Sequence, residues 1–170
     1  MKRIITTVAA AALLAAPAAA LGHTQETAKQ PNIVELAASN PQFSTLVGLV
    51  KKAGLVKALS APGAVTVFAP TNAAFAKVPK ATLDKLAADK KLLRSVLTYH
   101  VVKGAVPASK VLTLNGKKVK TLNGATVTVR ITGKSKKSVY VNNAKVLKVD
   151  LRASNGIVHS INRVLIPPTS

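Results

Sequence analysis

The 170-residue chain contains no cysteine and no tryptophan, and only five carboxylates stand against 25 lysines and arginines. Without cysteine there is no disulfide framework, no thiolate nucleophile, no cysteine-based zinc site and no lipid attached through a cysteine. The acids Glu26, Glu35, Asp84, Asp89 and Asp150 are scattered along the chain, which leaves little for a mechanism built on paired carboxylates. Gly-x-Ser-x-Gly, Ser-x-x-Lys and His-Glu-x-x-His are all missing, and with them the usual hydrolase and metalloprotease arrangements. Asn115-Gly116-Lys117-Lys118 lacks the first glycine and the following serine or threonine of a phosphate-binding loop. These absences predict a protein that is not an enzyme and holds no cofactor.

What is present begins with export. Met1-Lys2-Arg3 is a short basic head on an uncharged, alanine-rich run, and Ala18-Ala19-Ala20 offers small residues for cleavage. Residues 1–20 therefore read as a signal peptide, and the part that follows as a protein that does not span a membrane once that segment is removed, in the periplasm or outside the cell. Residues 21–31 show no apolar pattern and read as a flexible leader. The remainder, residues 32–168, is long enough for one domain with its own core.

The charge is lopsided. From His23 to Thr98 there are ten basic and four acidic residues, but from Tyr99 to the end thirteen basic and one acidic. Texture changes at the same place. Before it, helical signals dominate: Asn32 as a cap before Ile33 to Ala38, and Asn40-Pro41 before Phe43, Leu46, Val47 and Val50 at helical spacing, closed by Gly54. Leu92, Leu93, Val96 and Leu97 form another apolar stripe, after which Tyr99 to Val102 reads as extended. Beyond Leu112 the chain turns to strands: Asn115-Gly116 and Asn123-Gly124 are tight-turn signals, Val127, Val129 and Ile131 alternate with polar residues, and Leu147, Val149 and Leu151 alternate with Lys148 and Asp150. Helices first and antiparallel strands after predict an α+β domain.

Three stretches stand out. In TVFAPTNAAF, Thr66 to Phe75, a strand breaks at Pro70, and Thr71 or Asn72 can cap a helix that turns Phe75 back towards Phe68. Leu97 to Val102 contains Tyr99-His100, and Asn155 to Leu165 contains Gly156 and His159. His100 and His159 have two readings, a two-histidine metal or proton site or a pair of partly buried imidazoles bonded to backbone. The scarcity of further ligands favours the second, with no metal.

Taken in order, these three stretches resemble the motifs of the fasciclin domain family, and the resemblance extends over nearly all of the chain after the leader. It implies a compact β-sandwich or wedge with helices packed along one edge, and a non-enzymatic adhesion or matrix-interaction module that binds proteins or polysaccharides at the cell surface. In animal members the Tyr-His segment is linked to integrin adhesion, so Tyr99 and His100 are placed by position as an adhesion segment, while a bacterial-style export signal argues against an integrin partner. Phe68, Pro70, Thr71, Asn72, Phe75, Gly156 and His159 are placed as structural motif residues.

The alternative reading rests on charge. Between Lys110 and Lys148 there are ten basic residues and no acid, a density that costs folding free energy through self-repulsion. Lys117, Lys118, Lys120, Arg130, Lys134, Lys136, Lys137, Lys145 and Lys148 are the candidates for contacting an acidic polysaccharide or lipopolysaccharide of the envelope. Lysines on edge strands also resist aggregation and keep an exported protein soluble, and that explanation stands beside the first. Specific nucleic-acid binding is not expected, since Tyr140 is the one aromatic in this region and gives no stacking platform.

Overall fold

A computed structural model describes residues 29–134 and 137–168. The expected signal peptide lies outside the described residues, as does most of the expected leader. The leader's last residue, Pro31, is already held, since its carbonyl accepts the Ser154 N–H at 3.0 Å.

The first half is helical for local reasons. Helix α1, Ile33–Ala38, opens on a capping box in which Asn32 accepts from the Val34 and Glu35 N–H groups and the Glu35 carboxylate accepts from the Asn32 N–H. A 3₁₀ turn, Pro41–Phe43, capped by Asn40, leads into α2, Ser44–Ala53, which Gly54 ends with φ 70°. After α3, Val56–Ser60, strand β1, Val65–Pro70, runs to the corner and α4, Asn72–Ala76. Helices α5, Lys80–Ala88, and α6, Lys90–Tyr99, follow, the latter capped by Asp89. Helix α5 begins directly after Pro79, whose fixed φ suits a helix entry.

Strand β2, Val101–Lys103, and helix α7, Ala108–Thr113, precede the strand-rich half: β3, Lys118–Lys120, β4, Thr126–Thr132, β5, Ser138–Val141, β6, Ala144–Ala153, and β7, Gly156–Ile161. The order across the sheet is β2-β1-β7-β6-β5-β4-β3, with β1 and β7 parallel and the other neighbours antiparallel. The two ends of the sheet meet. Val102 of β2 bridges Thr121, just past β3, and the Leu122 N–H donates to the Val101 carbonyl at 2.8 Å. The expected sandwich thus comes from one sheet curled back on itself.

Curling creates two cores. Inside lie Phe68, Val102, Val111, Val127, Val129, Val141 and Ile161, all buried. Outside β1 and β7, helices α1, α2 and α6 bury Ile33, Phe43, Leu46, Val50, Leu93 and Leu97 against Val67, Ala69 and Val158. Because side chains alternate across a strand, Phe68 faces inward while Val67 and Ala69 face the helices. The register then carries each face across the sheet: Val129 pairs with Val141 and Val119 with Val127 inside, while Arg130 pairs with Tyr140 and Lys118 with Thr128 outside.

Three sequence expectations need correction. Tyr99 is the last residue of α6 and His100 its C-cap, so the extended segment begins only at Val101. Phe75 does not turn back towards Phe68: it packs in the helical core, whereas Phe68 lies inside the curl. In β6, Leu147 and Val149 are 53% and 44% exposed rather than facing a core. Register shifts on either side of Lys148, with Asp150 at φ 56°, break the simple alternation there.

Candidate functional site

The histidines come first, being the side chains with the most chemistry to offer. The His100 ring donates through Nδ1 to the Val96 carbonyl at 2.7 Å, as its Nε2 accepts from the Leu165 N–H at 2.9 Å. The His159 ring donates through Nε2 to the Val106 carbonyl at 2.9 Å, and its Nδ1 faces the Asp150 N–H at 3.3 Å. These partners fix both tautomers, and each ring has spent both nitrogens on backbone groups. Burial holds the His100 pKa down to about 4, against a smaller opposing pull from the Val96 carbonyl. It lowers that of His159 as well, opposed by the Val106 carbonyl and the Asp150 charge. Both rings are therefore neutral cross-braces at pH 7.

Nor do they face one site. His159 stacks on Phe68 on the inner side, ring centroids 5.6 Å apart, whereas His100 borders a cavity of ≈ 30 Å³ in the helical core, about the space of one water. Asp150, the acid nearest in sequence to His159, accepts from the Ala108 N–H at 2.8 Å and so caps α7. Among the described residues no three His, Asp or Glu side chains converge on a point where an ion could sit.

Tyr99 is as buried as His100, each 2% exposed. Its hydroxyl donates to the Thr126 carbonyl at 3.1 Å and accepts from Asn142 Nδ2 at 2.9 Å, tying α6 to β4 and to the β5–β6 turn. A partner would have to unpack α6 to touch the Tyr-His pair.

The other motif residues hold the two halves together. Thr71 caps α4 by accepting from the Ala74 N–H. Asn72 reaches back to the helical half instead, donating to the Pro41 carbonyl and Ser44 Oγ and accepting from the Thr45 N–H at 3.1 Å. Pro70 ends β1 beside Ile161 of β7. At the start of β7, Gly156 lies so close to β1 that a Cβ there would collide with the Val65 carbonyl oxygen. Its neighbour Asn155 is buried, accepting from the Ile33 N–H at 3.0 Å and donating to the Leu59 and Ala61 carbonyls.

The basic residues have the opposite surroundings. Lys117, Lys118, Lys120, Arg130, Lys134, Lys137 and Lys148 are exposed and Lys145 is half-buried, while Lys136 lies outside the described residues. Lys118, Lys120, Arg130 and Lys145 stand on the outer face of the sheet, on strands β3, β4 and β6. One sheet face is thus roofed by helices over β1 and β7 and left bare and basic over β3 to β5. Sequence reasoning passed over Tyr140 as a ligand-facing residue and did not single out Asn143, Asn162 or Arg163, which share an open basin with Arg130 and Lys145. The signal that would have found them is Asn142-Asn143 between two apolar alternations, a hairpin-turn pair that fixes which side chains of β5 and β6 sit opposite one another.

A curled seven-stranded sheet with a helical roof, a Pro-Thr-Asn corner and a buried Tyr-His pair defines one class of module. The fasciclin domain model matches residues 41–167, and the chain belongs to the fasciclin domain family. No helix among the described residues is long and apolar enough to cross a membrane.

Among relatives, the chain is 48% identical over 139 residues to Protein sll1483 of Synechocystis sp., covering 80% of this chain and 73% of that protein. It is 39% identical over 144 residues to cell surface glycolipoprotein MPB83 of Mycobacterium bovis, covering 82% of this chain and 62% of that one. Among solved structures, a FAS1 domain pair from the insect cell adhesion molecule fasciclin I superposes with a TM-score of 0.66 at 22% identity, over 78% of this chain and 47% of the pair. That likeness concerns the fold alone.

Proposed function

We propose that this domain works at the cell surface or in the surrounding matrix as an adhesion module that holds acidic polysaccharide through the bare outer face of β3 to β5. The observation that carries this reading is the division of that face. Where helices cover it, apolar side chains fill it, and where they do not, it carries Lys118, Lys120 and Arg130, with Lys117, Lys134 and Lys137 beside them. Such a surface attracts a polyanion from a distance and releases it as salt rises. Lysine predominates, and a flexible point charge suits a polymer of variable shape better than a single rigid epitope. The burial of Tyr99 and His100 removes the competing location for a contact surface.

Salt-gradient elution of the protein from a heparin or lipopolysaccharide column tests this. Retention beyond about 0.2 M salt, with earlier elution once Lys117, Lys118 and Lys120 are changed to Gln, is the expected result. Elution below that point, unmoved by the three substitutions, would sink the proposal.

A further inference from the structure

The basin on the outer face is more than a patch of charge. Arg130 of β4 stands directly opposite Tyr140 of β5, and Tyr140 directly opposite Lys145 of β6. The row continues to Asn162, whose Oδ1 accepts the Lys145 N–H at 2.8 Å as its own N–H donates to the Lys145 carbonyl at 3.0 Å. Neighbouring strands lie about 4.8 Å apart, so Arg130 and Lys145 leave the sheet roughly 10 Å from each other with the half-buried Tyr140 ring between them. Arg163 and Asn143 also line this basin of ≈ 530 Å³, which is open to solvent. No Asp or Glu lines it.

We infer that this row is a subsite for one carboxylated sugar residue of an acidic polysaccharide, with the ring laid on Tyr140, its carboxylate on the Arg130 guanidinium, and its hydroxyls on Asn143 and Asn162. Three features separate it from the surrounding lysines. Arginine presents a planar fork that takes both oxygens of a carboxylate, where lysine offers a point charge. A tyrosine ring pinned by cross-strand neighbours on either side is a flat apolar platform with a polar tip, which suits the C–H face of a pyranose and gives a bare phosphate nothing. The asparagine amides supply both donors and acceptors, which hydroxyls require and a purely anionic ligand does not. The two Lys145–Asn162 hydrogen bonds, one of them to the Asn162 side chain, hold that side of the basin before any ligand arrives, so little ordering is left for binding to do.

This subsite rests on the broader reading of the outer face as a polysaccharide surface, and the experiment separates the two. A short oligogalacturonate and a neutral oligogalactan of the same length are titrated into the full chain, and ring-proton NMR shifts are followed at its two tyrosines. The acidic oligomer is expected to move the Tyr140 signals and leave those of buried Tyr99 in place, while the neutral one binds far more weakly. Tyr140→Leu should weaken the acidic oligomer about tenfold. Arg130→Lys, which keeps the charge at an exposed position and so leaves folding intact, should weaken it about fivefold. Changing Lys117, Lys118 and Lys120 to Gln should leave the oligomer's affinity in place while shifting elution from the polymer column. Equal affinity after Tyr140→Leu and Arg130→Lys, or equal binding of the neutral oligomer, overturns the subsite even if the column still retains the protein. Failure on the column overturns the broader reading and the subsite with it.

Discussion

The two ends of the sheet's outer face have the same backbone and opposite chemistry. Over β1 and β7 the face is roofed: Val67, Ala69 and Val158 meet α1, α2 and α6, and even Ser160, paired with Ala69, is 1% exposed. Over β3 to β5 the roof is missing, and the outward positions become Lys118, Lys120, Thr128 and Arg130, with Tyr140 among them. Inside the curl no such change occurs, and Phe68, Val141 and Val127 form one continuous apolar lining. The inner face therefore sets the fold, whereas the outer face is spent on packing at one end and left open to solvent at the other. Charge that would be ruinous under a helix costs little where water reaches it.

That contrast breaks most completely at the seam where the roofed end begins. Gly156→Ala drives a methyl group into the Val65 carbonyl oxygen and against Ile33 Cδ1, so β1 and β7 cannot keep their parallel pairing. A loss of more than about 4 kcal/mol is expected, the range reserved for strain at a packed backbone, and urea unfolding followed by circular dichroism measures it. Asn155→Ala comes next. It strands the Ile33 N–H and the Leu59 carbonyl beneath the helical roof, at about 3 kcal/mol for two buried groups left without partners. A loss under 1 kcal/mol would mean that the roof is not tied to the sheet there.

Acid sharpens the comparison in a different way, because the depressed histidine pKa values belong to braces and not to the basic face. The unfolded chain takes up a proton at His100 near pH 6.5, whereas the folded chain does so only near pH 4. Stability is therefore full above about 6.5 and falls as pH drops towards 4, by about 1.4 kcal/mol per pH unit. The total from His100 is about 3 kcal/mol, and His159, lowered for the same reason, acts in the same direction. Between pH 7.5 and 4.5 His100 alone should lower the stability read from denaturation curves by about 2.5 kcal/mol, since the last part of its contribution is lost only below pH 4.5. His100→Gln, less stable at pH 7.5, should lose less between the two.

Much of this was legible in the sequence where a local rule decided it. The Asn32 cap, the Gly54 stop, both Asn-Gly turns and the alternation of Val127, Val129 and Ile131 are all dictated within a few residues, and they stand as read. The family motifs gave the α+β architecture. What could not be read depended on distant partners. The sequence does not say that Tyr99 closes a helix, since an aromatic before two valines also suits a strand, and here the helix ends on contacts to β4 and to the β5–β6 turn. Phe68 and Phe75 went to different cores because a strand offers two faces and the curl uses both. In β6 the apolar alternation misled because bulges shift the register around Lys148, leaving Leu147 and Val149 in water. The subsite row was invisible for the related reason that Arg130, Tyr140 and Lys145 meet only once three strands are in register.

The smallest expected effect separates the two ends by sign. Lys51 and Lys52 occupy the last turn of α2, where cations complement the helix dipole, so changing both to Gln should cost about 0.5 kcal/mol. Lys118 and Lys120 lie on strand β3 rather than in the last turn of a helix, and stand in a run of ten basic residues without an acid. Removing two charges from that run relieves repulsion, so the same double change to Gln there should leave stability unchanged or raise it by up to about 0.5 kcal/mol, more at low salt than at high. Thermal unfolding at two ionic strengths distinguishes the outcomes. If both pairs lowered the midpoint alike, the strand lysines would be part of the scaffold after all, and the bare end would lose its claim to be a surface kept charged for a partner.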